Sequence, residues 1–189
     1  MEEEVPEEDL EFLITHTTCD KATVREWYKA FKKDCPTGQI TREKFFELYK
    51  MFSFPSGNSE QLCDHVFRTI DTDRSGFIEF REFLLAFNVV NFGTAEEKLE
   101  WVFNLYDIDG NGTIGQDEMA NVVQAIYNML GAGASRTTGS AEDRAESIFS
   151  QMDSNEDGYL TLEEFISGCL QDDDVLMTVA PNLSRTILV

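Results

Sequence analysis

Positive charge is scarce in this sequence: 15 Lys and Arg stand against 36 Asp and Glu, for a formal net charge of −21. A chain this acidic is a poor ligand for nucleic acid or for the anionic face of a membrane. The shortage is sharpest at the amino end, where Glu2, Glu3, Glu4, Glu7, Glu8 and Asp9 surround Pro6 and no Lys or Arg appears before Lys21. Histidine is nearly missing too. His16 and His65 are the only two, no motif links either to a nucleophile, and Cys63 has no recognisable partner, so an enzyme is not expected. Both histidines are read as surface or satisfied residues. Four cysteines, Cys19, Cys35, Cys63 and Cys169, are scattered without a CxxC and without a secretory leader, which makes reduced thiols and a cytoplasmic protein the expectation. The longest apolar runs, such as FLLAFNVV at 83–90, fall well short of a membrane span. What remains is foldable. The chain is 42% hydrophobic and 12% aromatic with 15 Phe, ample for a packed core in one unit of two halves, 1–92 and 93–189.

Within that acidic background the carboxylates follow a pattern. In DIDGNGTIGQDE, residues 107–118, Asp107, Asp109 and Asn111 alternate, Gly112 follows, and Glu118 closes the run. Carboxylates this close repel one another and the run buries little apolar surface, so a cation is expected between them. A hard divalent ion such as Ca²⁺ takes about 6–8 oxygen ligands, and a twelve-residue loop supplies them from positions 1, 3, 5, 7, 9 and 12 with glycine at position 6. Here these are Asp107, Asp109, Asn111, the Thr113 carbonyl, a water held near Gly115, and both oxygens of Glu118. An acidic surface turn would not need the complete pattern.

The pattern repeats. DTDRSGFIEFRE, residues 71–82, offers Asp71, Asp73, Ser75, the Phe77 carbonyl, Glu79 and Glu82 around Gly76. DSNEDGYLTLEE, residues 153–164, offers Asp153, Asn155, Asp157, the Tyr159 carbonyl, Thr161 and Glu164 around Gly158. Three Ca²⁺ sites are therefore expected, with Mg²⁺ as an occupant at low Ca²⁺. A fourth copy, KDCPTGQITREK at 33–44, keeps Gly38 and Ile40 but puts Lys33, Cys35, Thr37 and Lys44 at ligand positions, and Pro36 stiffens the turn. Lysine has no acceptor, so this loop should hold no metal. Its expected role is to pair with loop two, because one EF-hand cannot bury its apolar face alone.

Apolar residues at helical spacing flank every loop. Val24, Trp27, Tyr28 and Phe31 precede loop one; Leu99, Val102, Phe103 and Tyr106 precede loop three from a helix opened by the capping box Thr94 and Glu97. Four hands in two pairs follow, an all-α fold with short antiparallel β contacts between paired loops. GAGASRTTGS, residues 131–140, reads as a flexible linker. The first half carries more aromatics than a small core needs. Trp27, Phe31, Phe45, Tyr49, Phe52, Phe67, Phe80, Phe83 and Leu84 are expected to line a groove for a partner helix, opened by Ca²⁺. The closing segment VLMTVAPNLSRTILV, 175–189, is apolar enough to be the groove's own ligand, with Leu176, Met177 and Val179 on one helical face before Pro181; the alternative is a helix packed permanently on the second half.

EWYKAFKKDCPTGQIT, HVFRTIDTDRSGFIEFREF, EEKLEWVFNLYDIDGNGTI, VVQAIYNML and QMDSNEDGYLTLEEFISG resemble the neuronal calcium sensor family of recoverin, visinin-like, hippocalcin and neurocalcin type, most of all its visinin-like, hippocalcin and neurocalcin branch. The similarity spans about residues 10–175, and Cys-Pro in a disabled first loop is a hallmark of that family. It implies an intracellular calcium sensor whose N-terminal groove takes an amphipathic helix of a membrane enzyme, channel or receptor, with recruitment to membranes through that partner. Two departures stand out. Family members begin Met-Gly and are myristoylated, whereas Glu2 follows Met1 here, so no N-myristoyl anchor is expected. Lys44 also replaces the acid that the family leads one to expect in loop one. A calcium buffer would use the same loops without a groove, and a guanylyl cyclase activator or a potassium-channel-interacting protein remains open within the class. Oligomeric state is not legible.

Overall fold

The computed structural model describes residues 4–52, 58–131, 140–181 and 183. Residues 132–139 of the expected linker lie outside them. Helices α1 (Glu7–His16) and α2 (Lys21–Asp34) lead to strand β1 (Gln39–Thr41) and α3 (Arg42–Phe52). The second hand is α4 (Glu60–Ile70), β2 (Phe77–Glu79) and α5 (Phe80–Phe92). The third is α6 (Ala95–Tyr106), β3 (Ile114–Gly115) and α7 (Gln116–Leu130); the fourth is α8 (Ala141–Met152), β4 (Tyr159–Leu160) and α9 (Leu162–Gln171). A short helix α10 (Asp173–Val179) follows. The fold is mostly helical, with four hands in two pairs.

Local chemistry sets the boundaries. At the start of α6 the Thr94 N–H donates to Glu97 Oε2 at 2.7 Å and the Glu97 N–H donates to Thr94 Oγ1 at 3.2 Å, which satisfies two amides that the first helical turn leaves unpaired. Each pair of loops is joined by a two-stranded antiparallel ladder, β1 with β2 and β3 with β4. Ile40 stands opposite Ile78, and Ile114 opposite Leu160. These position-eight side chains are buried, so each ladder is anchored in the core rather than at the ions. Even the disabled first loop keeps this pairing.

Two apolar clusters form, one in each half, but they are not independent. Leu62 of α4 belongs to the cluster of the second half, and α4 packs against both α6 and α7. Polar bonds reinforce the seam: the Asn58 N–H donates to the Asn128 carbonyl at 2.8 Å.

Helix α1 was not expected from the acidic amino end. Its first turn places Glu7, Glu8 and Asp9 at the positive end of the helix dipole, where acids are favourable, and Leu10 and Leu13 are fully buried as α1 packs on α2 and α5. Buried Asn88 of α5 accepts from both the N–H (3.0 Å) and Oγ1 (2.9 Å) of Thr18, which fixes the turn between α1 and α2. The closing helix takes the alternative arrangement, packed on the second half, and only Met177 departs from the expected face. Val175, Leu176 and Val179 of α10 are buried against the second half, while Met177 is 57% exposed. Helical residues advance about 100° each, so position 177 cannot share a face with 179. Residues 182 and 184–189 of the expected tail lie outside the described residues.

Candidate metal centres and the apolar cavity between the halves

Loops two, three and four each begin at the C-cap of one helix and end inside the first turn of the next, which brings their first and last carboxylates together. In loop two, Asp71 accepts from the backbone N–H groups of Ser75 (2.9 Å) and Gly76 (2.9 Å). In loop three, Asp107 accepts from Asn111 (3.0 Å) and Gly112 (2.9 Å), and in loop four Asp153 accepts from Asp157 (3.2 Å) and Gly158 (3.0 Å). The reversal needs a left-handed residue at position six; Gly112 has φ +88°, a conformation costly for other residues.

The position-twelve glutamate spans its loop from both ends. One oxygen of Glu82 accepts from the Glu79 N–H at 3.1 Å, and the other accepts from the Thr72 N–H at 2.8 Å. Glu118 does the same with Gly115 (2.8 Å) and Ile108 (2.8 Å), while Glu164 takes the Thr161 N–H (3.0 Å) and the Ser154 hydroxyl (2.9 Å). The backbone N–H of Ser75 holds the Asp73 carboxyl below its usual pKa, and that of Thr161 does so for Glu164. Both stay ionised well into the acid range.

Carboxylate oxygens of Asp71, Asp73 and Glu82 all lie within 4.8 Å of one another, as do those of Asp107, Asp109 and Glu118. Three carboxylates at that spacing are a hard, all-oxygen donor set of the kind Ca²⁺ takes at about 2.3–2.6 Å. Loop four substitutes Asn155 for one carboxylate and keeps Asp153, Asp157 and Glu164 in the same hydrogen-bonded frame. Position nine is Glu79, Gly115 and Thr161 in the three loops.

Loop one is built differently. Cys35 is buried, which pushes its thiol pKa up, and Lys44 lies 3.9 Å from Glu47 on its own helix. Thr41 caps α3 by accepting from the Lys44 N–H at 3.2 Å. No carboxylate occupies its ligand positions.

Beside the second hand lies an apolar cavity of about 470 Å³ between the halves. Phe45 and Tyr49 of α3, Val66 and Ile70 of α4, and Phe83, Phe87 and Val90 of α5 form one wall. Trp101, Val102 and Leu105 of α6, Ile126 of α7, and Val179, Ala180, Pro181 and Leu183 form the other. Of the nine residues expected to line a groove, Phe45, Tyr49 and Phe83 reach this cavity. Trp27 is half-buried with its ring 4.6 Å from Phe87; Phe31, Phe67, Phe80 and Leu84 are buried in the first half's core; the Phe52 side chain lies outside the described residues. The missed wall residues of α5 follow Phe83 at i+4 and i+7, a spacing visible in sequence. Those from α6 and α7 have no local signal, whereas Val179, Ala180, Pro181 and Leu183 fall in the closing segment read as the groove's own ligand.

The remaining singled-out residues are satisfied in place. His16 stacks on Phe12 at 4.0 Å and its Nδ1 lies 2.9 Å from the Phe12 carbonyl. All four cysteines are unpaired. No helix among the described residues is long and apolar enough to cross a membrane.

Comparison with known proteins matches the same two regions. Residues 36–89 and 96–170 each fit an EF-hand domain pair. Human recoverin is 37% identical over 176 residues, covering 91% of this chain and 88% of recoverin. Neuronal calcium sensor 1 of Lymnaea stagnalis is 40% identical over 174 residues, covering 91% of each.

Proposed function

The chain belongs to the recoverin and neuronal calcium sensor family of EF-hand proteins, and from that premise we propose that it binds three Ca²⁺ and regulates a protein target through the apolar cavity between its halves. The proposed ligands are those of loops 71–82, 107–118 and 153–164; loop one serves as the partner of loop two. The target is an amphipathic helix of a membrane enzyme, channel or receptor, presented to the wall that Phe45, Tyr49 and Phe83 share with α4 and α5.

One observation carries this reading. Asp71 caps the end of α4, Glu82 sits in the first turn of α5, and both helices wall the cavity. Drawing the two carboxylates around one ion changes the angle between α4 and α5, and with it the distance from Val66 and Ile70 to Phe83 and Phe87. Ion capture and cavity shape are thus one movement. A buffer has no use for this linkage, and binding, not catalysis, is the activity.

Calorimetric titration tests the stoichiometry: three ions for the native chain and two for each of Glu82→Gln, Glu118→Gln and Glu164→Gln, since Gln removes half of a bidentate pair. An environment-sensitive apolar dye, added in the same titration, separates the two classes. Its fluorescence rises with Ca²⁺ for a sensor and stays flat for a buffer.

A further inference from the structure

Arg68 lies in the last turn of α4, three residues before the first ligand position of loop two, yet its guanidinium serves loop three. Nη1 donates to the carbonyls of Asp107 (2.9 Å) and Ile108 (3.1 Å), and Nη2 donates to the carbonyl of Leu105 (2.8 Å). These carbonyls end α6 and open loop three, where a helix leaves its acceptors without internal partners and a cation is favoured. The guanidinium is planar and its donors are fixed in a fork, so three simultaneous bonds orient the end of α4 against the start of loop three. A lysine at this place would supply the charge without that geometry. Contact between the loops is reinforced by Arg74, at position four of loop two: its Nη2 lies 2.9 Å from where a Cβ on Gly110, position four of loop three, would stand. Two of the second hand's three arginines, Arg68 and Arg74, therefore lie against the third hand.

We propose that Arg68 is a positioning residue that couples ion binding in loops two and three. The inference rests on the reading of both loops as Ca²⁺ sites. Asp71 is the C-cap of α4 and Asp107 the C-cap of α6. When Asp71 closes on an ion it moves the end of α4, Arg68 moves with it, and the carbonyl of Asp107 follows while that residue's carboxylate faces its own ion. The start of loop three is thus held ready by the state of loop two. Thermodynamic linkage makes the effect reciprocal, so each filled loop raises the affinity of the other. This route joins the two halves without passing through the apolar cavity.

A site-resolved double-mutant cycle on the full chain tests it. The N–H groups of Gly76 and Gly112 each donate to the first aspartate of their own loop, so their amide resonances in an NMR titration with Ca²⁺ report loops two and three separately. In the native chain, Glu82→Gln should weaken filling of loop three about fivefold or more. In an Arg68→Met background the same Glu82→Gln change should leave loop three unmoved. Equal weakening in both backgrounds, or none in either, overturns the coupling. If Arg68→Met loses its dispersed spectrum, Arg68→Lys carries the test: a factor well below the native one supports the fork, and the native factor overturns it. Gly76 and Gly112 resonances that ignore Ca²⁺ in the native chain would instead refute the site assignment itself.

Discussion

The hydroxyl of Tyr106, fully buried in the second half, donates to the backbone carbonyl of Val179 at 3.2 Å. It ties the end of α6, where loop three begins, to the end of α10, beyond which Ala180, Pro181 and Leu183 wall the cavity. Burial pushes the pKa of this hydroxyl well above its usual value, so it stays a donor across the physiological range. Tyr106→Phe removes the donor while keeping the ring. The expected loss is about 1–2 kcal/mol, because a buried carbonyl loses its partner. For a chain of this length that lowers Tm by roughly 2–8 °C. Thermal unfolding of the ion-free protein, followed by circular dichroism, measures it, and an unshifted midpoint would show that the bond contributes nothing.

Truncation after Ala180 should raise binding of an apolar dye in Ca²⁺. It removes Pro181 and Leu183 from the cavity wall but spares Val175, Leu176 and Val179, which belong to the core. Deletion from residue 175 would be a poorer experiment, since it would unpack the second half as well. Equal dye fluorescence before and after truncation would mean that the closing segment does not shield the cavity.

His65 gives stability a slope in mild acid. Burial lowers its pKa, the neighbouring Arg68 lowers it further, and Asp64 opposes both. A histidine that resists protonation when folded gains a proton on unfolding, so its contribution is complete above the unfolded value near 6.5 and is lost as pH falls below it. Relative to His65→Gln, the native chain should therefore lose stability as the pH falls below about 6.5. Urea midpoints of the two proteins across that window give the answer; parallel curves would contradict it.

The ion-binding frame was legible because its information is local. Position-one aspartates, glycine at six, an apolar residue at eight and glutamate at twelve all lie within twelve residues, and the Thr94 box lies within four. What escaped is long-range. Arg68 reaches carbonyls some forty positions away, Thr18 meets Asn88 seventy positions away, and Tyr106 meets Val179 at seventy-three. None of these pairs leaves a periodic trace. The aromatic surplus was visible, but not its division: Phe80 and Phe83 are three residues apart on one helix, yet Phe80 is buried in the core and Phe83 walls the cavity. Helix α1 was obscured by its charge, although Leu10 and Leu13 carried the spacing.

The pairing of Ile40 with Ile78 joins a loop that lacks every acidic ligand to one that has them. On the proposed assignment the first pair holds a single ion, and a lone site follows a shallow hyperbola that needs roughly an eighty-fold rise in free ligand to pass from one-tenth to nine-tenths full. A Ca²⁺ rise smaller than this cannot throw such a site fully. Any steepness in the dose–response of the cavity would then have to be lent by the other half, where the two loops proposed to hold ions share one ladder, and the seam along α4 and α6 is the path by which it would be lent.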